Sequence, residues 1–507
     1  MTLAERLRRL PPERLLGIRR GIEKESLRSQ PSGALALTPH PLALGSALTH
    51  PHITTDYCES QLELITGAHP GVMTCLDELT RIHQFVYRTL AGAGDESLWV
   101  GSMPCGLPPD ENIPLGTYGS SNIGRAKGVY RMGLGHRYGR RMQTISGIHY
   151  NWSLPGLGNE EHFALMRNFR RHAFLLLTLF GASPALCPSF VAGRDHGLER
   201  LSEHTLYLPH ATSLRMGRLG YQSEAQSQLA VSCNSLEGYA DSLHSALTQP
   251  YAAYEKIGIR NLGGEYNQLS TTLLQIENEF YGTIRPKRVI RSGERPLHAL
   301  RERGVEYVEV RCMDLDPFEP VGIAAQTMRF LDVFLLHCLL QDSPPDTPEE
   351  IAELGHNQHH TAANGREPGL RLKRHGAEVL LIDWAAELLV ECTPIAQALD
   401  KAHGTADYSS AVQAAMATMA APQTLPSARA LATIQSDFGA SYTAFIRAQA
   451  EQTKNHLLGL PWLAENQSAF EVMARVSQQR QAAIEAAETE DFETFRQAYL
   501  APERLLA

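Results

Sequence analysis

Four short stretches, far apart in the chain, each alternate apolar and polar residues so that acids, amides or a histidine share one strand face. They are Gly21-Ile22-Glu23-Lys24-Glu25, Gln61-Leu62-Glu63-Leu64-Ile65, Gly147-Ile148-His149-Tyr150-Asn151-Trp152-Ser153 and Tyr307-Val308-Glu309-Val310-Arg311. A strand repeats every two residues, so Glu23 and Glu25 point the same way, as do His149, Asn151 and Ser153, and Glu309 with Arg311. The opposite faces carry Ile, Leu, Val, Tyr and Trp and read as core. Laid side by side, such strands would gather several carboxylates, a histidine and an arginine. A cluster of like charges tolerates burial only when cations neutralise it. A multi-metal site is therefore the first functional expectation.

The 507-residue chain is long enough for a large core, and its 43% hydrophobic and 20% charged residues are ordinary for a globular protein. With 46 Lys plus Arg against 55 Asp plus Glu, the net charge of -9 argues against a general nucleic-acid binder. The eight cysteines are scattered and none forms a C-x-x-C pair. That pattern speaks against structural zinc and a disulfide scaffold, and for a reduced, cytoplasmic setting. Residues 1–10 are charged and amphipathic, without the apolar run of a signal peptide. The longest apolar stretches, around Phe174–Phe180 and Phe330–Leu340, fall short of the ~20 residues a membrane span needs. Neither G-x-x-x-x-G-K-[ST], a dinucleotide fingerprint, H-E-x-x-H nor G-x-S-x-G occurs. A nucleotide, if used, must be held by metals and arginines.

Along the chain, residues 2–16, 72–92, 158–180 and 236–257 carry apolar residues at helical spacing. Residues 100–128 are rich in Gly, Pro, Ser and Asn and read as a long functional loop. Residues 266–312 read as β-rich, interrupted at Ile284-Arg285-Pro286-Lys287-Arg288. The segment Asp342-Ser343-Pro344-Pro345-Asp346-Thr347-Pro348 breaks the chain, and His356, His359 and His360 beyond it read as part of a solvated connection. After about 375 the composition turns to Ala, Gln, Glu and Leu, predicting helices packed on the rest.

Asp56, Glu59 and Glu63 add acids whose offsets mix loop and strand. Glu309 sits in a strongly β-prone run and is expected to be buried. Hard Mg²⁺ ions take carboxylate, water and phosphate oxygens, so this set suits Mg²⁺ bridging a nucleotide. Arg131, Arg215, Arg285, Arg288 and Arg311 are candidates for carboxylate or phosphate recognition through the planar guanidinium fork, or plain surface charges. Tyr130, Tyr221 and Tyr281 fit core and pocket equally well.

Several blocks together resemble the glutamate–cysteine ligase (γ-glutamylcysteine synthetase) family of the proteobacterial type. They are GIEKESLR (21–28), HPLALGSALTHPHITTDYCESQLELIT (40–66), SMPC (102–105), YGSSNIGRAKGVYRMGL (118–134), MQTISGIHYNWSLP (142–155), LFGASPALC (179–187), YLPHATSLRM (207–216), LQIENEFYGTIRPKRV (274–289) and GVEYVEVRCMDLDPF (304–318). The resemblance runs from about 17 to 345 and thins beyond. It implies an α+β fold: a glutamine-synthetase-like curved antiparallel sheet with flanking helices, in a catalytic part over residues 1–375 and a mainly helical region over 376–507. It implies ATP-dependent joining of the L-glutamate γ-carboxylate to the L-cysteine amine through γ-glutamyl phosphate, the first step of glutathione synthesis. By position, Glu23, Glu25, Asp56, Glu63, His149 and Glu309 would hold three Mg²⁺ ions, and Arg311 would stabilise the transferring phosphoryl group. Tyr130, Tyr221 and Tyr281 would surround the cysteine side chain, with Arg131, Gln143 and Arg215 near the substrates. Glu59 matches a family acid with no ligand role. A cytoplasmic monomer is expected, without nucleic-acid or membrane partners. The alternatives are a γ-glutamyl ligase using another amine, and a metal-dependent hydrolase of amides or phosphates.

Overall fold

The computed structural model describes residues 2–92, 94–220, 225–226, 229–291 and 293–506. Its centre is an antiparallel sheet of seven strands: β1 (Arg19–Ser29), β2 (Ile53–Thr55), β3 (Gln61–Ile65), β4 (Ser97–Leu98), β5 (Ile148–Ser153), β6 (Ile284–Lys287) and β7 (Tyr307–Met313). The order is β2-β3-β1-β5-β7-β6, with β4 paired to the far end of β1. The four alternating stretches of the sequence are thus four consecutive neighbours.

The face bearing Ile22, Leu62, Leu64, Ile148, Tyr150, Trp152, Val308 and Val310 is fully buried in the main core. Helices α1 (Val72–Ala91), α3 (Asn159–Phe180) and α4 (Ala325–Leu340) pack behind it. In α1 the residues Cys75, Leu79, Ile82, Val86 and Leu90 recur at three- and four-residue steps, which puts one apolar stripe against the strands. Burying a side chain of this size stabilises by about 1.5–3 kcal/mol. One ion pair crosses this layer: Arg20 of β1 meets Asp332 of α4 at 3.0 Å, both side chains fully buried, and Tyr150 Oη donates to the same carboxylate at 2.9 Å. Lys24 also points backwards, its Nζ 2.9 Å from His83 Nε2 of α1.

On the other side of the sheet lies helix α2 (Asn122–Tyr138), started by Ser121, whose Oγ accepts from the Gly124 amide. It begins inside the stretch 100–128 that the sequence assigns to loop. Three further differences stand out. Residues 284–287 are not an interruption but the edge strand β6, where Pro286 is tolerated because strand pairing is needed on one side alone. Residues 266–283 hold no strand. Their backbone is tied by side chains instead: Gln275 Oε1 accepts from the Leu269 amide, Glu279 Oε2 from the Gln275 amide, and Gln268 Nε2 donates to Tyr254 O. His356, His359 and His360 lie on helix α5 (Pro348–Asn364), not in a loop; Thr347 caps it and Pro348 opens it. The hairpin Arg371–Arg374/Ala377–Leu380 follows, and then helices up to α6 (Phe492–Leu500). No helix among the described residues is long and apolar enough to cross a membrane.

Candidate active site

The register of the strands builds the site. Glu23 on β1 faces His149 on β5, Glu25 faces Glu63 on β3, and Glu309 on β7 faces Asn151 on β5. Directly opposed residues sit close enough for their side chains to interact, and like charges there repel. Accordingly His149 Nδ1 lies 3.1 Å from Glu23 Oε2 and 3.9 Å from Glu309 Oε1, and its Nε2 lies 3.6 Å from Glu25 Oε1. Asn151 Nδ2 donates to Glu23 Oε1 at 2.9 Å. Candidate ligand atoms of Glu23, Glu63 and His149 all fall within 4.8 Å of one another. Asp56, just after β2, opens into the same cavity of about 560 Å³.

The acids divide by their cations. Burial pushes Glu309 up, but Lys287 at 3.1 Å and Arg311 at 3.0 Å outweigh it and hold the carboxyl well below its usual range. Burial also raises Glu23, while its bond to His149 brings it down. Glu25 is pushed up to about 8 by burial and the Asp56 charge, although the Gly147 amide donates to it at 2.7 Å. Glu63 is raised well above the carboxylate range by burial and by Glu23, Asp56 and Glu25. His149 is lowered, by burial and by Arg311, so it is neutral and a competent ligand. At the Glu309 end the cations outweigh burial, whereas at the Glu25–Glu63 end burial and mutual repulsion outweigh Arg215, Arg311 and Lys127. A neutral imidazole among oxygen donors that repel one another, with Nε2 making no hydrogen bond, is a donor set that fits hard divalent cations.

The remaining sequence candidates divide between two cavities. Tyr130, Arg131 and Gln143 line the acidic one; Arg215 lines a second, of about 600 Å³, with Arg218 and Tyr239; Tyr281 and Arg311 line both. Gln143 Nε2 donates to Tyr281 Oη at 2.8 Å. Arg131 turns its fork onto backbone, Nη1 donating to Lys127 O at 3.0 Å and Nε to Asp56 O, so it positions Asp56. Arg215 is buried, its Nη2 donating to Arg311 O at 2.9 Å. A Cβ on Gly147 would come within 2.1 Å of Arg215 Nη2, so this position has no room for a side chain. Arg288 is turned away, onto the carbonyls of Arg303 and Gly304. Tyr221 lies outside the described residues. Glu59 accepts from the amides of His40 and Thr117 at 2.9 and 2.8 Å, a fastening of two loops.

Sequence reasoning missed Lys287 and Lys127, which also line the acidic cavity. The signal for Lys287 was the Arg285/Lys287 alternation, masked by the proline between them. Burial and Arg131 bring Lys127 down to about 8.

A sheet that gathers acids on one face, with basic side chains at its edge and two adjoining cavities, defines a class of proteins built for metal-dependent chemistry on charged substrates. Comparison with known proteins narrows the class. The family model described as glutamate-cysteine ligase matches residues 7–157 and 156–361. The chain is 49% identical to the glutamate–cysteine ligase of Azotobacter vinelandii over 502 residues, covering 95% of this chain and 94% of that one. It is 46% identical to that of Alcanivorax borkumensis over 507 residues, 96% of each. A crystal structure of the Francisella tularensis glutamate–cysteine ligase in complex with AMP is similar with a TM-score of 0.91 and 34% identity, over 96% of this chain and 98% of that one. A bifunctional glutathione synthetase from Pasteurella multocida shares the fold, with a TM-score of 0.71 at 24% identity, this chain spanning 57% of its length. The chain belongs to the glutamate–cysteine ligase family.

Proposed function

We propose that the chain joins the γ-carboxylate of L-glutamate to the amine of L-cysteine at the expense of ATP, the first step of glutathione synthesis. The observation that carries this reading is the strand register, which brings acids from three separated strands and a histidine from a fourth into one cavity in a chain of this family. A carboxylate is a poor acylating agent. Here its oxygen attacks the γ-phosphorus of ATP and ADP leaves. The cysteine amine then attacks the carbonyl of γ-glutamyl phosphate, phosphate departs with the former carboxylate oxygen, and the nitrogen loses a proton.

Glu23, Glu25, Asp56, Glu63, Glu309 and His149 would hold Mg²⁺, three ions as the family resemblance implies. Bound there, Mg²⁺ would neutralise the polyphosphate and polarise the γ-phosphoryl group. Three dications against five carboxylates and the roughly four charges of ATP leave a deficit of about three. Arg285, Lys287 and Arg311 are among the basic side chains that line the same cavity and would offset it. Arg311, held by Glu309 at 3.0 Å, would stabilise charge on the moving phosphoryl group. Arg311 and Tyr281 belong to both cavities, which suits a reaction that passes an activated acid from nucleotide to amine. Tyr130 and Tyr281, with Tyr221, would enclose the cysteine side chain; Gln143 orients the Tyr281 hydroxyl, and Arg215 supports the carbonyl of Arg311 from behind. The division into a catalytic part, 1–375, and a helical region, 376–507, belongs to the same reading, with one chain as the working unit.

A coupled ADP-release assay tests the function. Release should require Mg²⁺, L-glutamate and L-cysteine together, and should fall off with 2-aminobutyrate and more steeply with glycine. ADP release that ignores either amino acid, or amide hydrolysis without nucleotide, would reject it.

A further inference from the structure

The carboxy-terminal helix α6 lies against the cleft wall. Phe492 packs with Ala126 and Leu269 in a small separate core to which Tyr130, Ile276 and Phe495 also belong. Four of these, Ala126, Tyr130, Leu269 and Ile276, line the acidic cavity, so α6 backs the inner surface of that cavity. Polar ties hold it there. From α6 itself Arg496 Nη1 donates to Leu269 O at 2.6 Å; just before it Asn122 Nδ2 donates to Glu490 O at 3.0 Å, and the Ser120 amide donates to Glu485 Oε1 of the preceding helix at 2.9 Å.

The last turn of α6 goes further, because Tyr499 itself lines the cavity. Its ring stacks on Phe495 with centroids 5.6 Å apart and planes within 9°. The guanidinium of Arg295 stands 4.9 Å from the Tyr499 ring centroid, and Arg295 Nη1 donates to the Tyr499 carbonyl at 2.9 Å. Arg295 is buried and held by Glu277 Oε2 at 2.7 and 3.0 Å. Both the backbone and the ring of Tyr499 are therefore fixed by a buried ion pair. The cavity has two kinds of lining. Glu23, Glu63, His149 and Glu309 give it acidic lining; Ile123, Ala126, Leu269, Ile276 and Ile290 give it apolar lining, with Arg291 and Glu294 close to Ile290 in sequence. A nucleotide pairs the same two characters: charged phosphates at one end, a flat base with apolar faces at the other.

We propose that α6 forms the outer wall of the nucleotide end of the cleft, with the part of the Tyr499 ring that Phe495 and Arg295 leave open to the cavity as a contact for the purine base. The assignment rests on the nucleotide-dependent reading above and adds a substrate-contacting residue from the extreme end of the chain. Loss of an aromatic contact to a base worth about 1.4 kcal/mol weakens binding about tenfold.

Full-length wild type, Tyr499→Ala, Tyr499→Phe and Phe492→Ala decide it, each titrated with Mg²⁺-ATP by calorimetry and assayed for all three substrates. Tyr499→Ala should raise the ATP Kd and KM about tenfold, with kcat and both amino-acid KM values within twofold of wild type. Tyr499→Phe should restore ATP binding, and Phe492→Ala should again weaken ATP most. Unchanged ATP binding in Tyr499→Ala, or an equal rise in all three KM values with a lower unfolding temperature, would overturn the assignment. Wild type that binds Mg²⁺-ATP but makes no γ-glutamyl amide would reject the proposed function while the binding data still judge Tyr499. Wild type that binds no nucleotide would reject both.

Discussion

Glu63 shows what one side chain contributes to such a site. Its carboxyl is held up by burial and by three acids around it, so in the absence of divalent cations it works against the fold. Glu63→Gln should therefore raise the unfolding temperature measured in EDTA, abolish the further rise on adding Mg²⁺-ATP, and lower ADP release by more than about 100-fold, beyond what the loss of an outer-shell partner gives. A variant less stable than wild type in EDTA would mean that Glu63 is not strained by its neighbours. His50 illustrates the opposite economy. Its Nδ1 accepts from the amides of His52 and Ile53 at 3.1 and 2.9 Å, so the ring must stay neutral, and burial with its neighbours His52 and His40 brings it down to about 4. The unfolded chain binds this proton first. The stability His50 contributes is full above about 6.5 and is lost as pH falls toward about 4, with a slope of about 1.4 kcal/mol per pH unit. In His50→Asn, urea unfolding across that window should show a shallower pH dependence than in wild type.

Among elements, strands with clean alternation could be read directly: β1, β3, β5 and β7 declared both their faces, and with them Glu23, Glu25, Glu63, His149 and Glu309. What periodicity does not carry is register, and register decides that Glu25 opposes Glu63 while Glu23 opposes His149. β6 stayed hidden because a proline usually excludes a strand, and only its place at the sheet edge makes Pro286 acceptable. Helix α5 stayed hidden because its His-, Gln- and Asn-rich sequence lacks an apolar stripe; Thr347-Pro348, read as a breaker, is its start. The stretch 266–283 misled in the other direction, since Gln275 and Glu279 satisfy backbone amides that a sheet would have paired. The Arg20–Asp332 pair between β1 and α4 gives a test of the packing at this scale. Asp332→Ala leaves a guanidinium buried without its counter-charge, which costs about 3–5 kcal/mol. Denaturant unfolding should show a loss of that size, and a change below about 1 kcal/mol would mean that water reaches Arg20.

At the scale of the whole molecule, the sequence announces the chemistry more openly than the architecture. The acids, the family blocks and the lack of a P-loop could all be seen in the chain, whereas the pairing of its last helix with the cleft could not. Phe492 and Tyr499 sit in a segment whose pattern says helix and nothing about what lies beneath it. Their meaning depends on Ala126, Leu269 and Arg295, each more than 200 positions away. The central sheet has the same long reach, and it bears on how the chain is born. Its order places β1 between partners about 40 and 130 positions downstream, and β5 beside a strand that begins at Tyr307. During synthesis the ribosome delivers Glu23 early and Glu309 much later. Loops this long must close before their contacts can reward them, which makes the sheet a slow and late product of folding. Until Met313 has emerged and β7 has docked, the nascent chain holds unassembled acids that bind little. Substrate capture therefore cannot precede completion of the sheet, and a chain that stops short of Met313 draws no ATP or cysteine.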